Sequence, residues 1–216
     1  PTPVSPQTLK GGIVLLDPLT SAVRRVIVLQ YNPDTLTRTL QVQGTGDTGD
    51  RSEVLRLKGP AVETLKLDAE IDATDQLETA RPGAAVLQSG IFPQLSALET
   101  ILYPTTTQLV ANSSLAATGV LEILPMEAPM TLFVWSASRI VPVRITEFSI
   151  TEESFDTKLN PIRAKVSLGM RVLSVSDLGF GHRGSSIYLA YQRVKETFAA
   201  VPLPGTMGDL GIGAIP

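Results

Sequence analysis

The sequence contains no cysteine and only one histidine, His182. Without cysteine, the fold has neither disulfides nor thiolate ligands for a metal, and the redox compartment cannot be read from the sequence. A single histidine leaves little for a multi-histidine metal centre or for imidazole-based catalysis. These absences argue against thiolate and multi-histidine metal sites and against enzymes that depend on imidazole chemistry.

Long apolar runs and basic clusters are also missing. The longest apolar stretches, Ile13–Leu16 and Val26–Leu29, are far too short to cross a bilayer. Residues 1–10 have no apolar core of the kind found in secretory signals. The formal net charge is −3, and no basic stretch indicates a nucleic-acid surface. We therefore expect a protein made in the cytoplasm, with no nucleic-acid partner and no direct membrane insertion.

What the chain does have is enough apolar material for one core. It has 216 residues, of which 43% are hydrophobic, and single β domains often reach about 200 to 250 residues. Pro, Thr and Gly are frequent at the N-terminus, and Pro and Gly at the C-terminus. We predict a flexible arm at residues 1–11, a single β domain at 12–200 and a Pro/Gly-rich tail at 201–216.

Alternating apolar and polar residues dominate the domain and predict strands with one face on a core and the other in water. A change of phase near Thr146 and Glu147 predicts a β-bulge. Helical spacing predicts two helices, Gln94–Tyr103 and residues 185–199, the second with Ser185 as its N-cap. We predict a mainly β domain, which is an antiparallel barrel or two-sheet fold with a docked helix. The nine predicted strands are Ile13–Asp17, Val23–Tyr31, Thr35–Gln43, Glu53–Leu57, Val62–Asp72, Val120–Leu124, Thr131–Trp135, Arg139–Ile150 and Ile162–Val175.

Two of these strands carry opposite charges on their water-facing sides. The strand Ile162–Val175 has apolar residues at its even positions, which predicts a central strand with Val166 in the core. Opposite charges on facing strands can pair across strands or between subunits, although exposure to plain water is the simpler interpretation. The candidate assembly or channel surface comprises Lys66, Asp68, Glu70 and Asp72 on one strand and Arg163, Lys165 and Arg171 on the other.

Candidate catalytic groups are few. Glu152, Glu153 and Asp156 are typical of a solvated turn, and His182 with Asp177 and Ser185 lacks any Gly-x-Ser-x-Gly nucleophile motif. We predict no enzyme, and no catalytic, cofactor-binding or metal-binding residue. Two alternatives stay open: a small hydrolase that uses Asp156 or His182, and a ligand-binding β domain, for which 5% aromatic residues is little.

One apolar run has two interpretations. Met130–Ser136, which contains Trp135, is apolar on both faces. Such a run is typical of a central strand or of an oligomer interface.

Several motifs, taken in order, resemble one family. They are Leu29–Leu36, Gly90–Leu95, Leu102–Pro104, Leu132–Trp135, Arg139–Thr151, Ile150–Asp156, Leu159–Val166 and Tyr188–Gln192. Their order and spacing are similar to the tube-like, baseplate-adaptor domain of extracellular contractile injection systems, which are phage-tail-like particles. The resemblance covers about residues 10–200. In that family a LysM module often follows the domain, and none of these 216 residues forms a LysM-like segment.

The resemblance implies a β-barrel or two-sheet domain with an outer helix, and a closed homo-oligomeric ring, a hexamer, around a central channel. It also implies an adaptor or tube-initiation layer that joins a spike hub to an inner tube, with no cofactor. A repeating inner-tube subunit or a terminator ring is the alternative. The particle would assemble in the bacterial cytoplasm and could then be released. Reversing Arg163 and Lys165 to Glu is expected to leave the monomer folded and to impair the ring.

Overall fold

The computed structural model describes residues 9–17, 20–44, 56–74, 88–117, 128–202 and 205–215. Within them, seven antiparallel strands form one sheet in the order β2-β1-β5-β6-β7-β4-β3. The mainly antiparallel β domain predicted from the sequence is confirmed. The strands are β1 Gly12–Leu16, β2 Val23–Val28, β3 Leu36–Gln41, β4 Val62–Asp72, β5 Met130–Ser136, β6 Arg139–Phe155 and β7 Pro161–Val172.

In the described ranges, four α-helices and one short 3-10 helix accompany the sheet. They are α1 Phe92–Glu99, α2 Thr106–Ala117, α3 Val175–Leu178 and α4 Arg183–Ala199, followed by the 3-10 helix Met207–Leu210. The two predicted helices correspond to α1 and α4, whereas α2 and α3 were not predicted. Residues 1–8 of the predicted arm, the predicted strand Val120–Leu124 and most of Glu53–Leu57 lie outside the described residues.

The sheet curves strongly. Gln30 follows the edge strand β2, while Asp72 ends β4, which is five positions away in the sheet order. In a flat sheet that separation would be about 24 Å. Instead, the Gln30 side-chain amide donates to the Asp72 carbonyl at 2.5 Å and accepts from the Asp72 N–H at 3.0 Å. The Gln30 amide therefore binds the backbone N–H and carbonyl of Asp72 at the β4 edge, as a neighbouring strand would.

The concave face of the curved sheet holds the core. Strands β4 and β7 place alternate apolar residues there, and Val166 is fully buried between its partners Ala69 on β4 and Ile150 on β6. The central, core-facing position predicted for β7 is confirmed. Helices α1 and α4 add Leu95, Leu98, Tyr188 and Tyr191 to the same cluster.

Strand β6 confirms the predicted bulge. Its register against β7 shifts between Ile145 and Glu147, where the apolar phase changes from odd to even positions. The bulge lets a strand of 17 residues keep apolar side chains on the core side in both halves. Strand β6 therefore extends five residues beyond the predicted end at Ile150, to Phe155.

Strand β5 lies in the middle of the sheet and is covered on both faces. Phe133 is buried on the core side and Leu132 on the opposite side. Trp135 stacks on Phe133 with ring centroids 6.0 Å apart, and its ring lies against Gly11. Of the two interpretations of this run, the central strand is therefore correct for the side chains of β5.

The N-terminus of α4 differs from the prediction. The helix begins at Arg183, and its cap is His182, whose Nδ1 accepts from the Gly184 N–H at 3.0 Å. Ser185, the predicted cap, is buried in the first turn instead and donates its hydroxyl hydrogen to the Gly179 carbonyl. The sequence alone could not separate two polar residues three positions apart that can both cap a helix.

Asp156 holds the turn between β6 and β7. Its Oδ1 accepts from the Lys158 and Asn160 backbone N–H groups, and its Oδ2 accepts from the Asn160 side-chain amide. The amide contact, with these backbone bonds, lowers the pKa of Asp156 below its ordinary value of 3.8. The carboxylate predicted to belong to a solvated turn thus organises that turn.

Removing this carboxylate is expected to matter only while it is ionised. A carboxyl group with a lowered folded-state pKa stabilises the fold above its unfolded pKa, and this contribution is lost as the pH falls through the folded pKa. Asp156→Ala should therefore melt below wild type at pH 7, and the difference should close towards about pH 2. Thermal unfolding by circular dichroism measures this, with Thr157→Ala in the same turn as the control. An equal difference at both pH values would contradict the role of the ionised carboxylate.

Candidate functional site: a polar sheet face with paired charges

All seven charged residues selected from the sequence lie on one surface. This polar face is the side of β3, β4, β7 and β6 that points away from the core. Strands β4 and β7 are direct neighbours, with Glu70 opposite Lys165 and Asp72 opposite Arg163. The two oppositely charged stripes are therefore adjacent within a single copy of the chain.

A glycine lets one ion pair span three strands. Lys66 on β4 lies opposite Gly169 on β7, and Gly169 in turn lies opposite Glu147 on β6. The Lys66 ammonium reaches across Gly169 to the Glu147 carboxylate at 2.8 Å. A Cβ at position 169 would lie 2.7 Å from the Glu147 Cβ, so any side chain there would displace Glu147. Glu147 belongs to the surface although the sequence-based selection omitted it.

Arg163 joins two acids of β4. Its Nε donates to Glu70 Oε1 at 2.6 Å and lies 3.4 Å from Asp72 Oδ2. The third acid of that stripe, Asp68, accepts from the Ser167 hydroxyl on β7. Every acidic residue of the β4 stripe therefore has a partner on β7.

The remaining two cations also have partners within the chain. Lys165 Nζ lies 3.0 Å from Glu153 Oε1 on β6, and Arg171 donates to Asp177 Oδ1 on α3 at 2.7 Å. Lys165 is 59% exposed, and exposed ion pairs contribute little to stability, whereas Arg171 and Asp177 are only 32% and 23% exposed. The main consequence of these pairs is that each of the seven selected charged side chains has a partner within one copy of the chain.

The electrostatic environment favours the ionised forms. The hydrogen bond from Lys66 to Glu147 raises the pKa of the lysine, and the bond from Arg163 to Glu70 raises the pKa of the arginine. Hydrogen bonds from the side chain and backbone of Thr74 lower the pKa of Asp72. All three shifts stabilise the charged state, so these groups keep their charges through the neutral range.

Five of the groups considered for catalysis have structural roles. Asp177 accepts from the backbone N–H and hydroxyl of Ser174 in a capping box, while His182 and Ser185 occupy the start of α4. Glu153 pairs with Lys165, and Asp156 holds its turn. Within the described ranges, no three His, Cys, Asp or Glu side chains are grouped so as to hold a metal ion.

Glu63 was overlooked in the sequence, although it is the most buried charged group described. It is 3% exposed and accepts from the Tyr191 hydroxyl at 3.0 Å and from Lys195 at 2.9 Å, both on α4. Arg38 on β3 lies 3.7 Å away. The carboxylate thereby ties α4 to β4 and β3. The sequence did indicate this residue, because Glu63 occupies a position of β4 at which the alternation places apolar side chains.

Both edges of the sheet carry exposed apolar side chains. Among the described residues, β2 and β3 each pair with one strand only. Val26 and Val28 on β2 are 58% and 57% exposed, and Leu40 on β3 is 50% exposed. Unpaired edges with apolar side chains are sites where another chain can add.

A membrane-spanning helix does not occur in the part of the chain that the structure describes.

Comparison with known proteins yields weak structural likeness to a solved structure. No protein-family model and no curated protein matches the chain. Among solved structures, a chain described as "Tail of empty GTA particle computed with helical refinement, C6 symmetry" aligns at 11% identity and a TM-score of 0.29. The alignment covers 76% of this chain and 90% of that one. This TM-score is too low to establish a shared fold, and we draw nothing from it.

Proposed function

We propose that the protein is a non-enzymatic structural subunit that forms a closed ring, with the polar face lining a central channel. The observation that carries the proposal is the internal pairing of charges across β4, β7 and β6. Lys66, Arg163 and Lys165 each reach an acid of the same copy, so the face needs no partner to satisfy them. Such a surface stays hydrated and holds no large field of one sign that would trap a passing macromolecule.

The apolar surfaces that an interface between subunits could bury lie elsewhere. The concave face is filled by the core, whereas the two sheet edges expose apolar side chains. Copies that associate side by side through these edges would leave the polar face free. A ring requires two different surfaces on each subunit, and β2 and β3 at opposite ends of the sheet provide them.

The place of the ring follows from the sequence resemblance. We propose a hexameric layer in a contractile-injection-type, phage-tail-like particle, joining the spike hub to the inner tube and assembled in the bacterial cytoplasm before any release. A repeating inner-tube or terminator subunit is the second candidate. Copy number in purified particles separates an adaptor from a repeating tube subunit: an adaptor layer is present as one ring per particle and a tube subunit as many.

The absence of cysteine allows a direct test of the channel. Thr151 is exposed on the polar face, and Thr197 is exposed on α4. With Thr151→Cys, a bulky maleimide-linked polymer should label the unassembled chain quickly and the assembled particle slowly. Thr197→Cys is the control for general accessibility. Equal labelling of Thr151→Cys in both states would exclude a channel position, and a wild-type chain that stays monomeric by electron microscopy and is absent from particles would exclude the ring.

Reversing the charges of Arg163 and Lys165 on β7 needs a control, and the structure indicates which one. Arg163→Glu with Lys165→Glu is expected to impair rings seen by negative stain, but it also places like charges beside Glu70 and Glu153. The matched variant exchanges one pair, Lys165→Glu with Glu153→Lys, and so keeps the pairing within one copy. Circular dichroism checks folding of both. Rescue by the exchange would assign the defect to the broken pairing, whereas normal rings from the reversed chain would remove this stripe from assembly.

A further inference from the structure

Two arginines lie directly opposite each other at one end of the polar face. Arg144 on β6 pairs in register with Arg171 on β7, so both side chains leave the sheet on the same side. Like charges in directly opposed cross-strand positions are destabilising. The two strands therefore bring together guanidinium groups that repel each other unless an anion lies nearby.

The acids at this end of the face do not balance the cations. Asp177 on α3 binds Arg171 at 2.7 Å, and Glu147 on β6 binds Lys66 at 2.8 Å. The Arg144 guanidinium has neither a hydrogen bond nor an ion pair with any residue that the structure describes. Three cations thus face two acids, which leaves one positive charge without a counter-ion.

Arg171 is held in place but only partly used. Ser174 donates its backbone N–H and its hydroxyl to Asp177 Oδ2, which fixes the carboxylate and leaves Oδ1 for Arg171 Nη2. Arg171 Nε is enclosed and has no acceptor in the described part of the chain. The Arg171 side chain is nevertheless 32% exposed, and Arg144 beside it is exposed as well. A ligand therefore meets one oriented guanidinium and one free guanidinium.

Paired guanidinium groups favour one chemical class of ligand. The planar fork of arginine matches two oxygen atoms of a carboxylate or a phosphate, and such charge-assisted hydrogen bonds are among the strong ones in proteins. One uncompensated charge suits a single group of this kind. A polyanion such as nucleic acid requires a broad basic surface, which Glu147 and Asp177 interrupt here.

We propose that Arg144 and Arg171 together bind one oxyanion group, a carboxylate or a phosphate. The bound group offsets the repulsion between the two arginines and supplies acceptors for their open donors. The site is formed within a single copy, so it does not depend on the proposed ring. Two sources supply such a group: free phosphate, or an acidic side chain of an adjacent chain in the particle.

Thermal unfolding in phosphate tests the site on the full-length chain. Replacing sodium chloride with sodium phosphate at equal ionic strength should raise the melting temperature of wild type, because a ligand that binds the folded state stabilises it. Phosphate also stabilises proteins that lack a specific site, so the variants decide. Arg144→Gln should show a smaller increase and at least tenfold weaker phosphate binding by titration calorimetry. Arg193→Gln, which removes the same charge from α4, should behave as wild type. Equal increases in all three chains would overturn the proposal.

The repulsion between the two arginines has its own signature. Without phosphate and at low ionic strength, Arg144→Gln should melt no lower than wild type, because it removes one of two opposed like charges. Arg144→Lys keeps the charge but not the planar fork, and should bind phosphate more weakly than wild type. A clearly lower melting temperature of Arg144→Gln in this buffer would show that Arg144 already has a partner, and the proposed site would then be wrong.

Ring formation in phosphate-free buffer distinguishes the two sources of the oxyanion. Fewer rings from folded Arg144→Gln, with normal rings from Arg193→Gln, would assign the oxyanion to an acidic side chain of an adjacent chain. Unchanged rings would assign it to free phosphate. A wild-type chain that forms no rings would overturn the ring, while the phosphate measurements on the single chain would still decide the site.

Discussion

Val166→Asp is expected to prevent the domain from folding. Val166 is 0% exposed, at the centre of β7, with β6 on one side and β4 on the other. An unpaired carboxylate there must either be desolvated or be held protonated, and the cost of several kcal/mol is comparable to the whole stability of a typical domain, about 5–15 kcal/mol. We expect insoluble protein, or a soluble chain without a cooperative thermal transition by circular dichroism.

Two controls separate charge from position. Val166→Ala removes two buried methyl groups, which should lower the free energy of unfolding by about 2 kcal/mol, including only a small contribution from the cavity left behind. This variant should fold, with a lower melting temperature. Thr151→Asp places the same new charge on the polar face opposite Lys165, and should remain soluble with nearly unchanged melting. Soluble, folded Val166→Asp with wild-type melting would show that this face of β7 is not core.

Gly90→Ala is expected to detach α1 from the end of the sheet. Gly90 has φ +57°, and a Cβ there would lie 2.1 Å from the Pro161 carbonyl oxygen. The next residue, Ile91, donates its N–H to that same carbonyl at 2.9 Å and is buried in the core. The left-handed backbone costs about 1–2 kcal/mol for a residue with a side chain, and the clash with a backbone atom adds to it. A loss of roughly 3 kcal/mol or more in the free energy of unfolding is expected.

A second substitution at the same position distinguishes the two causes. Asparagine tolerates the left-handed region far better than alanine, yet it carries the same Cβ. Gly90→Asn should therefore be nearly as destabilised as Gly90→Ala in urea denaturation if contact with Pro161 dominates. Wild-type stability of Gly90→Asn would mean that backbone strain alone makes this glycine necessary. Limited proteolysis near α1 reports whether the loss is local to that helix.

Much of the strand pattern could be predicted from the sequence. The alternation along β4 and β7 identified the core face and the charged face, and the phase change at Thr146 and Glu147 located the bulge in β6. These features are readable because successive side chains of a strand point to opposite faces, whatever its neighbours are. The central place of β7 followed from its unbroken apolar face.

Other elements left no periodic signal. Helix α2 has apolar residues spread around its circumference and no charged side, so no helical period marked it. The cap of α4 was assigned to Ser185 rather than His182, because both side chains can accept a backbone N–H. Glu63 interrupts the apolar phase of β4, and the approach of Tyr191 and Lys195 from α4, together with Arg38 on β3, makes that position tolerable for a carboxylate.

The sequence by itself determined which side of β4 and of β7 is exposed to solvent, because side-chain direction is a local property of an extended backbone. The tertiary structure decided which strands are neighbours, and therefore which charges meet. Lys66 and Glu147 are far apart along the chain and become partners only because β7 places Gly169 between them, where no side chain blocks the way. Curvature of the sheet brings β2 to β4 and creates a groove beside α1. Strand order and curvature depend on contacts between distant segments, which no local pattern of residues specifies.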